Sequence, residues 1–179
     1  MATGGLGQLY QRTTNPLEAT ADGLAMAYRA GAEVADLEFV QFHPTALANP
    51  NIKDNLPMPL LTEALRGEGA TLVDETGRRF MPGEHLDAEL APRDVVARSI
   101  WQRLQNSKGA FLDLRSIFDE TSEKRFPTVI EICRKAGFDP FNELIPVAPA
   151  AHYHMGGIVS DRLGRTSIKG LWACGEVAA

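Results

Sequence analysis

The chain has 179 residues, 44% of them apolar and 23% charged, with 16 glycines and a net charge of -5, the usage of an ordinary globular protein. That composition argues against disorder, a collagen repeat and a coiled coil, and no apolar run approaches the roughly 20 residues that a bilayer-crossing helix needs. The acidic balance, without any dense basic cluster, argues against a nucleic-acid partner. Cys133 and Cys174 lie far apart without CxxC spacing, so neither a disulfide framework nor a cysteine zinc site is expected, and a reducing cytosol fits.

The N-terminus opens on Ala2-Thr3-Gly4-Gly5, without the basic and apolar regions of an export signal. Asn15-Pro16-Leu17-Glu18 combines an N-cap residue, a first-turn proline and a glutamate, which predicts a helix carrying Leu24, Met26, Ala27 and Ala30 inward and ending at Gly31. Residues 37–43 read as a strand that stops at Pro44, so His43 is expected at a strand end. Residues 47–59 hold Asn, Pro and Asp without a period and read as loop. Residues 60–65 lead into Arg66-Gly67-Glu68-Gly69, a tight turn that suits either a binding loop or a plain solvated surface.

Residues 72–74 and 79–81 read as a hairpin around a glycine-bearing loop. Pro92 opens a second helix, with Val96, Ile100 and Leu104 at helical spacing. Arg93 then takes the second helical position, where the macrodipole disfavours a cation by about 0.3–1 kcal/mol. Either Asp94 beside it or a ligand carboxylate at the helix start would compensate. Residues 111–114 read as a short strand and 127–136 as a helix with Ile130, Cys133 and Ala136 inward. Residues 158–159 and 170–173 supply further strands, and the last of these runs through Gly175-Glu176 into a helix start of the kind that binds nucleotides. An end of that form predicts an excised fragment, with exposed strand edges through which copies would self-associate.

His43 and His152 stand beside structural punctuation, and each reads either as a donor to a ligand carboxylate or as a loop histidine satisfying carbonyls. His152 and His154 form an H-x-H pair without further ligands at a recognisable spacing, so no metal is expected. Together with Arg93, Thr62 and Glu63 they suggest a site for a small dianion, with donors arriving from separate loops.

Six blocks carry a further pattern: Ala2-Thr3-Gly4-Gly5, Asp22-Gly23, residues 38–47 around Phe42-His43-Pro44, residues 61–70 around Thr62-Glu63-Ala64-Leu65-Arg66-Gly67, Glu89-Leu90-Ala91-Pro92-Arg93-Asp94, and residues 149–157 around His152. In this order they resemble the flavoprotein subunits of the succinate dehydrogenase and fumarate reductase family, over nearly the whole chain. The wording of residues 62–70 and Pro149-Ala150-Ala151 is more similar to the branch that oxidises L-aspartate than to the respiratory subunits.

The resemblance implies an α+β fold, the capping domain of a flavoprotein with flanking pieces of a Rossmann-like FAD-binding domain. Residues 1–42 and 153–179 would belong to the FAD-binding domain and 43–152 to the cap. It implies Arg93 as proton donor or acceptor, His43, Thr62, Glu63 and His152 around a dicarboxylate, and Asp22 and Glu176 as contacts of a non-covalent FAD. It implies a cytoplasmic enzyme that takes L-aspartate to iminoaspartate for quinolinate and NAD synthesis, with dioxygen reduced to peroxide. A fumarate reductase or succinate dehydrogenase subunit is the alternative, with fumarate as acceptor, and a free-standing dicarboxylate-binding module is a second. The chain departs from the pattern in holding no G-x-G-x-x-G fingerprint and no late arginine-containing FAD segment, so activity alone is not expected, and in placing His154 where the family has Thr, Ser or Cys.

Overall fold

The computed structural model describes residues 1–49, 56–106, 109–119 and 121–179. In chain order its main elements are α1 (Asp22–Arg29), β1 (Val34–Ala35), β2 (Val40–Leu47), α2 (Ala64–Gly67), β3 (Thr71–Val73), α3 (Arg93–Gln105), β4 (Phe111–Asp113), α4 (Ser122–Arg125), α5 (Pro127–Lys135), β5 (Ile145–His154) and β6 (Gly157–Ile158). They fall into two compact units, one of Met1–Phe42 and Ala151–Ala179 with residues 56–57, the other of Met58–Ala150 with residues 43–49. Much of the patternless stretch 47–59, residues 50–55, lies outside the described residues.

In the first unit α1 buries Leu24 and Ala27 against Leu6, Ala32, Ile158 and Val177. The helix begins at Asp22, six residues after the expected start. Asn15 does not cap it, because its side-chain amide donates to the Ala151 and His152 carbonyls, and Pro16 instead closes a turn through its carbonyl and the Ala19 amide. Met26, expected inward, is exposed, since the shorter helix turns a different face to the core. β1 pairs antiparallel with β6, Val34 opposite Ile158 and Ala35 opposite Gly157. A Cβ on Gly156 would stand 2.1 Å from the Asp36 carbonyl oxygen, and one on Gly157 2.3 Å from that of Val177. Neither backbone neighbour can yield, so the glycine pair is a condition of the pairing. The strand expected over 170–173 reduces to a bridge between Arg165 and Trp172.

In the second unit a sheet of order β2-β5-β4-β3 packs under helices. Leu72 of β3 faces Leu112 of β4, which faces Ile145 of β5. Val96 and Ile100 of α3 and Val129 and Cys133 of α5 join them in one core with Leu47 and Met81. Burial pushes the Cys133 thiol up to about 11. β2 starts later than expected, after a turn closed by the Phe39 amide on the Asp36 carbonyl. It also runs on through Pro44, so His43 lies mid-strand and buried. The missing proline N–H does not end the strand, because Leu61 N donates to Thr45 O at 3.0 Å and Leu47 N to Pro59 O at 2.8 Å on its other edge.

Glu89, only 3% exposed, ties this unit together. Its carboxylate accepts the Leu72 amide of β3 at 3.0 Å and the Arg79 fork at 2.9 Å from Nε and 2.5 Å from a terminal nitrogen. Burial acts to raise its pKa, but the Arg79 and Leu72 bonds outweigh that and hold the carboxyl below its usual range.

Two outcomes follow from these contacts. Gly157→Ala should lose more than about 2 kcal/mol of stability in urea melts, since the added methyl meets backbone that cannot move aside. A carboxyl whose folded pKa is depressed stabilises fully above its unfolded pKa and loses that contribution as pH falls through the folded value. Glu89→Gln should therefore be about 1–3 kcal/mol less stable than the parent at pH 7. In melts taken at falling pH the gap should close below about pH 4.

Candidate functional site

Four of the residues singled out by the sequence lie in the second unit and three in the first. In the second, α2 is a single turn after Thr62 and Glu63, and α3 starts directly at Arg93 with Pro92 as its cap. Arg93 is thus the first helical residue and not the second, and Glu63 compensates it: Arg93 Nε donates to Glu63 Oε2 at 2.6 Å. Asp94 does not play that part, since its carboxylate pairs with Arg98 one turn on, at 2.7 Å.

The same Glu63 oxygen lies 3.8 Å from a terminal nitrogen of Arg66, three residues along the α2 turn. Arg66 is 2% exposed and donates to the Glu89 carbonyl at 2.5 Å, while its Nε and other terminal nitrogen find no hydrogen-bond acceptor among the described residues. Burial lowers the Arg66 pKa, Glu63 opposes this, and the neighbouring Arg93 cation adds to the lowering. One carboxylate therefore stands between a half-exposed guanidinium and a buried one whose proton is held less firmly than usual. The Arg93–Glu63 contact is a charge-assisted bond of the kind along which a proton can move, while Arg66 acts on Glu63 through its charge.

His43 is buried on β2 with Nδ1 accepting the Thr45 amide at 3.3 Å, which leaves Nε2 as the ring's donor. Thr62 is half-buried, and its hydroxyl accepts the Ala64 amide at 3.3 Å. The structure thus brings Glu63 and Arg93 into contact, with Thr62 next to Glu63 in the chain.

In the first unit His152 is half-buried on β5, its Nδ1 2.7 Å from the Thr14 hydroxyl. With Thr14 donating, the ring would carry its proton on Nε2 and could donate it to a carboxylate. His154, two residues on, is turned to other partners: its Nε2 meets the Leu37 carbonyl at 3.3 Å and its backbone amide donates to Glu176 Oε1 at 2.7 Å. Glu176 lies against Gly5, where a Cβ would come within 2.4 Å of the carboxylate. Asp22 opens α1 and accepts the Thr20 hydroxyl at 2.6 Å, while Gly23 beside it touches Thr3 so closely that a Cβ would stand 1.9 Å from the hydroxyl. Residues 3–5, Asp22-Gly23 and Gly175-Glu176 are therefore one cluster, in which each carboxylate keeps an oxygen that accepts no hydrogen bond among the described residues. Glycine backbone open to close approach, beside carboxylates with acceptor capacity to spare, fits the sugar hydroxyls of a dinucleotide such as FAD.

Sequence reasoning missed Arg66, Glu89 and Thr14. The Glu63-to-Arg66 spacing was a usable signal for the first, since residues three apart on a helix are neighbours. Nothing local pointed to the other two, whose partners lie far away in the chain.

The chain matches the FAD binding domain family over residues 1–179. It is 56% identical over 178 residues to an L-aspartate oxidase of Mesorhizobium japonicum, covering 99% of this chain and 34% of that protein. It is 54% identical to an L-aspartate oxidase of Streptomyces coelicolor, over 99% of this chain and 31% of that one. Among solved structures, a quinol-fumarate reductase with menaquinol molecules aligns at TM-score 0.88 and 37% identity over 99% of this chain and 33% of its own. A Mycobacterium smegmatis Sdh1 in complex with UQ1 aligns at TM-score 0.74 and 36% identity, over 99% of this chain and 30% of its own. The chain spans about a third of the length of the curated relatives it matches. Matched along its whole length, it belongs to the FAD binding domain family, among the flavoprotein oxidoreductases that include L-aspartate oxidases and fumarate reductases.

Proposed function

We propose that the protein is an FAD-dependent L-aspartate oxidase of the cytoplasm, converting L-aspartate to iminoaspartate while dioxygen becomes hydrogen peroxide. The observation that carries this reading is the Glu63 carboxylate set between Arg93 and the buried Arg66, in a chain 56% identical to an L-aspartate oxidase. Residues 43–152 act as the capping domain, and 1–42 and 153–179 belong to the FAD-binding domain. With about a third of its relatives' length, the chain on its own is inactive, and its exposed Leu9, Phe39 and Trp172 favour self-association.

Asp22 and Glu176 accept hydroxyls of the non-covalent cofactor, with Gly5 giving it close approach. When bound, FAD would supply a hydride acceptor for the substrate Cα and a two-electron link to dioxygen. In the second unit His43 Nε2 and the Thr62 hydroxyl are the donors offered to a substrate carboxylate, and in the first unit His152 Nε2 is another. Arg93 takes the proton that leaves the substrate. A guanidinium gives up a proton reluctantly, so the acceptor role requires Glu63 at 2.6 Å to draw the Arg93 proton away first. Arg66 stands beyond it, 3.8 Å from the same oxygen, and its positive charge steadies the Glu63 carboxylate.

A second reading, a fumarate reductase or succinate dehydrogenase subunit, is favoured by the alignment with a quinol-fumarate reductase at TM-score 0.88. The same residues would then run the proton inward to the substrate carbon. The full-length protein, purified with FAD, should form peroxide from L-aspartate and show little succinate oxidation; the reverse preference would select the second reading. Glu63→Gln and Arg93→Lys should each lower kcat by about 10²–10⁴ with little change in KM, and normal turnover in either would remove the proton route. This chain alone should stay colourless with added FAD. Stoichiometric flavin binding without oxidation would instead mark a free-standing binding module.

A further inference from the structure

Arg66 is held from behind as well as in front. Its terminal nitrogen donates to the Glu89 carbonyl at 2.5 Å, and the Glu89 side chain is itself locked by the Leu72 amide and the Arg79 fork. Ala88, just before Glu89, has φ +49. A non-glycine residue in the left-handed region costs about 1–2 kcal/mol and persists where surrounding contacts over-determine it. The strained residue stands directly before Glu89, whose carbonyl and carboxylate take different partners. The Arg79 side chain is half-exposed and reaches the pair from the solvent side.

We propose that Glu89 and Arg79 are positioning residues of the proton route: the pair fixes the Glu89 carbonyl, and that carbonyl holds the Arg66 guanidinium in register with Glu63. The inference rests on the Glu63–Arg66–Arg93 reading above. Three charges act on Arg66 among the described residues: Glu63 and Glu89 keep its proton on, and Arg93 works with burial to remove it. Glu89 therefore acts on Arg66 through its carbonyl and through its charge, with Arg79 tempering the second.

A purely structural ion pair and a positioning pair differ in what their variants do to the pH profile. In the full-length, FAD-loaded protein, Glu89→Gln keeps the shape and removes the charge, so Arg66 should lose its proton more readily and the alkaline limb of kcat should move to lower pH. Arg79→Gln leaves Glu89 untempered, so the limb should move to higher pH, while Arg79→Lys should leave it in place. In the two Gln variants kcat should fall by about tenfold to a hundredfold with the dicarboxylate KM within about twofold, the cost of a misplaced group outside the binding contacts. The Arg66 Nε–H resonance in nitrogen-15 NMR should broaden by exchange in both, a readout that does not depend on turnover. Limbs that stay put, or that move in the same direction in both Gln variants, would overturn the inference, and Arg79 is exposed enough that its variants report even if Glu89→Gln fails to fold. Glu63→Gln separates the two levels: if it turns over normally the proton route itself fails, and if it is inactive while the pair variants leave the pH profile unchanged, only the positioning inference fails.

Discussion

A buried guanidinium is the constraint on which the second unit turns. Arg66 is 2% exposed and meets one carbonyl at hydrogen-bond distance and one carboxylate further off, although burying a charge without full pairing costs several kcal/mol. The surroundings answer that cost in layers. Glu63 closes the α2 turn in front, Glu89 closes a strained turn behind, and Arg79 and the β3 amide neutralise and anchor Glu89 in turn. Short elements suffice because each charged group is fixed by a neighbour of opposite sign and not by long helices. The apolar core of Leu72, Leu112, Ile145 and Ile100 supplies the burial that makes these charges matter.

The first unit solves a different problem by different means. Its critical contacts are close approaches to glycine: backbone against backbone at Gly156 to Asp36 and Gly157 to Val177, and backbone against a side chain at Gly5 to Glu176 and Gly23 to Thr3. Where chain must lie against chain, removing the Cβ is the sole remedy, and the carboxylates that remain take their hydrogen bonds from hydroxyls and amides. Such a cluster is suited to neutral, hydroxyl-rich ligands, whereas the arginine-lined turn of the second unit is suited to moving protons.

Helices with a regular apolar period were legible from sequence: α3 and α5 bury Val96, Ile100 and Cys133 as their spacing required. The errors came where a local signal was spent on a distant partner. Asn15 looked like a helix cap but gives its amide to the carbonyls of residues 151 and 152, and Pro44 looked like a strand stop but lies within a strand whose other edge is bonded to residues 59–61. At the site, Arg93 and Glu63 were legible separately, and their ion pair was not, because thirty residues of chain separate them. Arg66 was read in a turn that suited either a binding loop or a solvated surface; only the fold makes it a core residue.

Cys133, packed on α5 with its thiol raised to about 11, acquires a meaning from the chemistry proposed for the protein. An enzyme that releases hydrogen peroxide is the first molecule its product meets, and peroxide attacks thiolates, not thiols. A sulfur sealed among Val129, Leu112 and Ile145 and holding its proton almost completely at neutral pH offers peroxide neither access nor a nucleophile. The apolar packing that stabilises the fold thus also gives the core resistance to the peroxide proposed as the product.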